Sequence, residues 1–183
     1  MGTYEEILET FKKKLKTVSV VEIADIPKID LYMDQVTTFM DQALTPYKRS
    51  SDGKVLTKTM INNYTKAKVL PPPVKKKYGR MHIMLLIMIF HLKTVLSIKD
   101  IATLFQPIFA LPTKEESEKQ TEKIYAGFIY LQKATLTYMQ ASAEGIIDDT
   151  LFQKEIMAEY DEEMKKVMLI LLLAIRANAE KHL

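Results

Sequence analysis

The stretch TKTMINNYTKAKVLPPPVKKKY, residues 57–78, decides how this chain is read. Thr57 can offer its side-chain oxygen to the first free amides of a helix reaching about Lys68. The residues after it then divide by helical spacing. Met60, Ile61, Tyr64 and Ala67 fall on one face, and Lys58, Thr59, Asn62, Asn63 and Lys66 on the other. Pro71, Pro72 and Pro73 cannot continue that helix and force an extended backbone. Lys75, Lys76, Lys77 and Arg80 follow as a short basic wing. The polar face has the chemistry of DNA recognition: Asn pairs bidentately with adenine in the major groove, Lys neutralises phosphate, and Thr does either. Asn is a poor helix former, so propensity does not explain two neighbouring ones. The plainer account is a polar surface beside a tether with solvated lysines.

The charge around this stretch is one-sided. From Lys54 to Lys99 there are ten Lys or Arg residues and no Asp or Glu. Residues 1–53 carry two more acids than bases, and residues 100–183 five more. A solvated face normally mixes both signs. A segment of one sign suits a polyanion, above all the phosphate backbone of double-stranded DNA.

Composition narrows the rest. Apolar residues make up 48% of the 183, with only five Gly, which favours long helices over a sheet-rich fold. There is no Cys, which excludes a disulfide framework, a thiolate metal sensor and a thiol redox switch, and suits a reducing cytoplasm. His82, His91 and His182 lie far apart with no carboxylate at ligand spacing, so no metal and no cofactor is expected. Residues 3–16 alternate acidic and basic clusters, unlike a secretory signal. The apolar runs 83–92 and 167–175 are about half the ~20 residues a bilayer requires, so no membrane association is expected. A Gly-rich phosphate loop, an HExxH pair and a nucleophile elbow are all missing, and Glu159, Asp161, Glu162 and Glu163 are consecutive rather than gathered on one helical face. The chain does not read as an enzyme.

Along the chain, Thr3 and Glu6 form a capping box for an amphipathic helix to about Lys16. Asp30 can cap a helix from Leu31 to about Leu44 with Leu31, Val36, Phe39, Met40 and Ala43 inward. Residues 45–55 are a loop rich in turn formers. An apolar helix is expected from about Arg80 to Val95, and a Ser97-capped one closing near Phe105. A boundary is placed at Pro107 and Pro112. Thr113 and Glu116 then cap a helix to about Ala143. Gly145 breaks it, and a last helix runs to about His182.

The motif run 57–78, followed by a helix and then LSIKDIATLF (residues 96–105), resembles the winged helix of MerR-type regulators. In that family a capped recognition helix carries a double-Tyr motif, leads into Gly-Leu-Leu-Pro-Pro and a wing, and is followed by a helix pair with a Ser-capped second member. Thr57 stands at the cap and Tyr64 at the second Tyr. Residues 68–72 replace the Gly-Leu-Leu-Pro-Pro run, and Ser97, Ile98 and Ile101 begin the later helix. Thr59 and Asn62 occupy positions that usually hold Arg, Asn63 replaces the first Tyr, an insertion precedes the recognition helix, and the C-terminal Cys ligands of the family are absent. More closely, residues 29–36, 56–64, 72–78 and 96–101 are similar to an uncharacterised bacterial family, domain of unknown function eighteen thirty-six.

The fold expected is all-α: an N-terminal amphipathic helix over 1–21, a MerR-like winged helix-turn-helix over 22–107, and a long C-terminal helical hairpin over 113–183 for dimerisation. The function expected is a cytoplasmic transcription regulator binding double-stranded DNA as a homodimer. Thr59, Asn62 and Asn63 would meet base edges, and Lys58, Tyr64, Lys66, Lys75, Lys76, Lys77 and Arg80 would meet phosphates. A small-molecule effector between the C-terminal helices is compatible with this. The alternative is a protein-interaction module on the same scaffold, binding an acidic protein partner.

Overall fold

A computed structural model describes residues 20–47 and 54–147, with isolated helical positions at 6, 10 and 13, and side chains of the last helix through residue 137. The expected N-terminal helix, the middle of the 45–55 loop and the final helix therefore lie outside the described residues. The chain divides into two compact units, Val20–Lys133 and a second formed by Met1–Ser19 with Ala134–Leu183. In the latter, the helical stretch up to Ile147 and the positions 6, 10 and 13 are described.

The described chain is mostly helical, with a two-stranded ribbon. In order come a 3-10 turn Ile23–Asp25, β1 (Leu31–Tyr32), α1 (Met33–Ala43), a 3-10 turn Thr45–Tyr47, α2 (Lys58–Lys66), β2 (Lys77–Tyr78), α3 (Arg80–Leu92), α4 (Ile98–Phe109) and α5 (Lys114–Ile147). β1 and β2 are antiparallel, pairing Leu31 with Tyr78 and Tyr32 with Lys77.

α3 is the centre of the unit. Every residue from Met81 to Ile89 is buried, so the helix has no solvent face and must be covered all round. Val36 and Met40 of α1, Ile61 and Tyr64 of α2, and Ile101, Phe105 and Ile108 of α4 belong to the same core. Tyr125 and Ile129 of α5 join them, and the Tyr125 hydroxyl donates to the Val21 carbonyl at 2.8 Å. The compact unit thus runs across Pro107 and Pro112 as far as Lys133, where Lys133 pairs with Glu22 at 2.6 Å.

Local signals set most helix starts. Ser97 Oγ accepts from the Asp100 amide while Asp100 accepts from the Ser97 amide, both at 3.2 Å, and Thr113 and Glu116 repeat this reciprocal box. Three expectations need correction. Leu31 and Tyr32 are strand rather than helix, and the Tyr32 amide donates to Gln35 Oε1 at 2.9 Å, so Asp30 is not the cap. Pro107 lies inside α4, which continues to Phe109 because Ile101, Phe105 and Ile108 form one buried stripe. Gly145 lies inside α5 and does not end it. No helix among the described residues is long and apolar enough to cross a membrane.

His91, near the end of α3, touches the rings of Tyr47 and Phe128, and its Nε2 lies 3.2 Å from the Gln132 amide nitrogen. Burial pushes its pKa down from 6.5 to about 4. The unfolded chain therefore binds a proton that the folded one refuses. The stabilisation is complete above pH 6.5 and declines as pH falls from there toward 4, by at most about 3 kcal/mol. The melting temperature should drop across that window, and a His91→Phe variant should drop less steeply. A wild-type profile that stays level between pH 6.5 and 4 would contradict this.

Candidate nucleic-acid interface

α2 forms as its spacing requires. Thr57 Oγ1 accepts from the Met60 amide at 3.2 Å, and Ile61 and Tyr64 are buried. Lys58, Thr59, Asn62, Asn63 and Lys66 are exposed. Neither Asn side chain makes a hydrogen bond among the described residues, so both amides are presented to solvent. The helix ends in two backbone hydrogen bonds, from Val69 to the Tyr64 carbonyl and from Lys68 to the Thr65 carbonyl, both at 3.1 Å. This is the Schellman ending, whose turning residue adopts the left-handed conformation that glycine accommodates best. Here that residue is Lys68, at φ 59°.

Beyond the three prolines the chain makes a tight hairpin. Val74 and Lys77 exchange backbone hydrogen bonds of 3.0 and 2.9 Å around Lys75 and Lys76, at φ 49° and 64°. Two consecutive positive φ values define a type I′ turn, for which Asn-Gly is the favoured pair. Among the described residues the non-glycine positions at positive φ are Lys68, Lys75 and Lys76, all lysines. Left-handed backbone costs a side-chain-bearing residue about 1–2 kcal/mol. Three lysines stand where the backbone would prefer glycine or asparagine.

The hairpin is fastened at its base. The Gly79 amide donates to His82 Nδ1 at 3.1 Å, and His82 Nε2 lies 3.4 Å from the Pro72 carbonyl. An amide can only donate, so Nδ1 is bare and Nε2 carries the proton toward Pro72. Burial, the leading cause, lowers the His82 pKa and keeps the ring neutral. Gly79 leaves room for a neighbour: a Cβ there would stand 3.0 Å from Asp30 Oδ1, and that carboxylate would have to move by a few tenths of an ångström. On the opposite flank, the Lys77 ammonium sits 5.2 Å above the Tyr32 ring.

The expected contact residues separate into two groups. Lys58, Thr59, Asn62, Asn63, Lys66, Lys75 and Lys76 are exposed and Lys77 partly so. Lys58 is paired with Asp34 at the start of α1, two residues from the Tyr32 that carries Lys77, so one short run of contacts links α2 to the hairpin. Tyr64 and Arg80 are turned inward. Tyr64 is 5% exposed and packs in the core. The Arg80 guanidinium donates from Nη2 to the Ile23 carbonyl at 2.6 Å, with Nε buried. Tyr64 is thus withdrawn into the core, and one Arg80 nitrogen is already engaged. Tyr32, 52% exposed beneath Lys77, escaped the sequence reading because its position depends on pairing with a strand 45 residues away. Among the described residues no three His, Asp or Glu side chains gather as a metal site would need.

Because both turn lysines stand against the backbone's preference, replacing them should stabilise the fold. A Lys75→Asn/Lys76→Gly double variant is expected to gain about 1–2 kcal/mol, read as a rise in urea midpoint with unchanged slope. A lower midpoint would refute the turn assignment.

No curated protein and no solved structure matches this chain. A family model does, over residues 21–128, and its description is Domain of unknown function (DUF1836). The match begins just before the Ile23–Asp25 turn and ends within the part of α5 that packs on the core, so it takes in the capped α2, the lysine hairpin and the buried α3 together. On that match, which covers more than half of the sequence, the chain belongs to the DUF1836 family.

Proposed function

We propose that this protein is a transcription regulator that binds double-stranded DNA through a MerR-like winged helix-turn-helix. α2 acts as the recognition helix, the hairpin at 74–77 as the wing, and a homodimer forms through the C-terminal helices. The observation that carries this reading is the presence of Lys75 and Lys76 at positive φ on a strained turn, at the tip of an acid-free segment. Strain kept at an exposed position calls for a functional explanation, and a lysine tip fits a phosphate backbone. Asn62, Asn63 and Thr59 read base edges. Lys58, Lys66, Lys75, Lys76 and Lys77 neutralise phosphates, and no catalysis is involved.

One observation favours a second reading. With Tyr64 and Arg80 turned inward, fewer groups remain for phosphates, as suits a module that binds an acidic protein partner.

Selection from random duplexes by the purified protein separates the two. A recovered two-fold motif is expected, with half-sites spaced by helical turns. Each neutralised phosphate contributes about 0.9 to the log–log salt slope, so five lysines give roughly −4 to −5. Lys76→Ala should weaken binding to every sequence and flatten that slope by about 1, whereas Asn62→Ala should relax sequence choice. Absence of enrichment, with weak binding that vanishes as salt rises, would move the assignment to the acidic partner.

A further inference from the structure

We propose that the cleft between the end of α2, the Pro-rich connection and the start of α5 binds a small amphipathic organic anion, a carboxylate on an apolar body. The cleft holds about 370 Å³, toward the lower end of small-molecule sites. Leu70, Pro71, Met81 and Phe109 supply apolar wall, and Lys68 and Lys114 bring positive charge to the same lining, which includes no carboxylate. Lys114 pairs with Glu118 at 3.3 Å across one exposed helical turn. Such a pair is worth a few tenths of a kcal/mol and yields readily to a ligand. Lys68 makes no ion pair among the described residues.

The second observation is the backbone of Lys68. Its φ of 59° makes glycine the cheaper residue, yet a lysine stands there at the mouth of an apolar cleft. The lining sets the ligand's charge and body. It offers two point charges, which a single small anionic group such as a carboxylate can meet without bidentate geometry, and its walls call for an aliphatic or aromatic body. Thr65 of α2 and Val74 of the hairpin border the same space. A bound ligand would therefore lie between the two parts of the proposed DNA-binding face and neutralise Lys68 beside them. That last consequence rests on the DNA reading, whereas the binding itself does not.

Isothermal titration of the full-length protein with octanoate and with octanamide, in the absence of DNA, tests the site. Octanoate is expected to bind, and octanamide to bind about tenfold or more weakly, as loss of a charge-assisted contact implies. Lys68→Gly and Lys114→Gln should each weaken octanoate by a similar factor and leave octanamide unaffected. Lys68→Gly should also melt higher than the parent without ligand, which separates lost binding from lost folding. Absence of octanoate binding at millimolar concentration, equal binding of the amide, or parent-like octanoate binding by both lysine variants would each overturn the proposal, whatever the DNA experiments return.

Discussion

Nine consecutive buried residues on α3, from Met81 to Ile89, impose the constraint on which the other elements depend. A helix apolar on every side cannot form the edge of anything. α1, α2, α4 and the first turns of α5 are present because each contributes an apolar stripe to cover one side of it. Truncating a side chain such as Leu85, which is 0% exposed, would cost about 2–5 kcal/mol, since a fully enclosed site collapses poorly around a cavity. That tight enclosure also fixes where the polar groups go. His82 and His91 lie on this helix, and burial denies each of them a proton.

His82 connects the core to the basic surface. Its ring receives the Gly79 amide and faces the Pro72 carbonyl, so one neutral imidazole spans both ends of the segment that carries Lys75, Lys76 and Lys77. The lysine tip is thereby tied to the buried helix α3 although it projects into solvent. A positive loop on a loose tether would lose entropy on meeting a polyanion, and a pre-positioned one loses less.

What the sequence could and could not reveal follows the range of the interactions. Thr57, Ser97 with Asp100, and Thr113 with Glu116 act over three residues, and their caps stand where the spacing places them. The inward and outward faces of α2 were legible for the same reason. The ribbon of Leu31–Tyr32 with Lys77–Tyr78 was not, because nothing local to residue 31 announces a partner beyond α2. Arg80 reads as a surface cation until the Ile23 carbonyl is seen to occupy it, a contact between residues 57 apart. Pro107 and Gly145 read as breakers, and in both cases the helix continues, for Pro107 because tertiary burial outweighs the local penalty. The positive φ of the three lysines left no trace in residue type, since these are positions where glycine or asparagine would have been the signal.

The ribbon is only two residue pairs long, yet it closes the whole stretch of chain between Leu31 and Tyr78. Closing a loop of roughly 45 residues costs about 3 kcal/mol in chain entropy. In an antiparallel ladder only alternate residue pairs exchange backbone hydrogen bonds, so this ribbon gains about two, and at about 1 kcal/mol each they do not return that by themselves. The ribbon therefore cannot act as a folding nucleus; it forms once helix packing has already drawn its two strands together. The placement of Lys77 beside α1 thus depends on the packing that buries Leu31 and Tyr78, so a change that loosens that packing also scatters the positive charge which the ribbon gathers into one oriented feature.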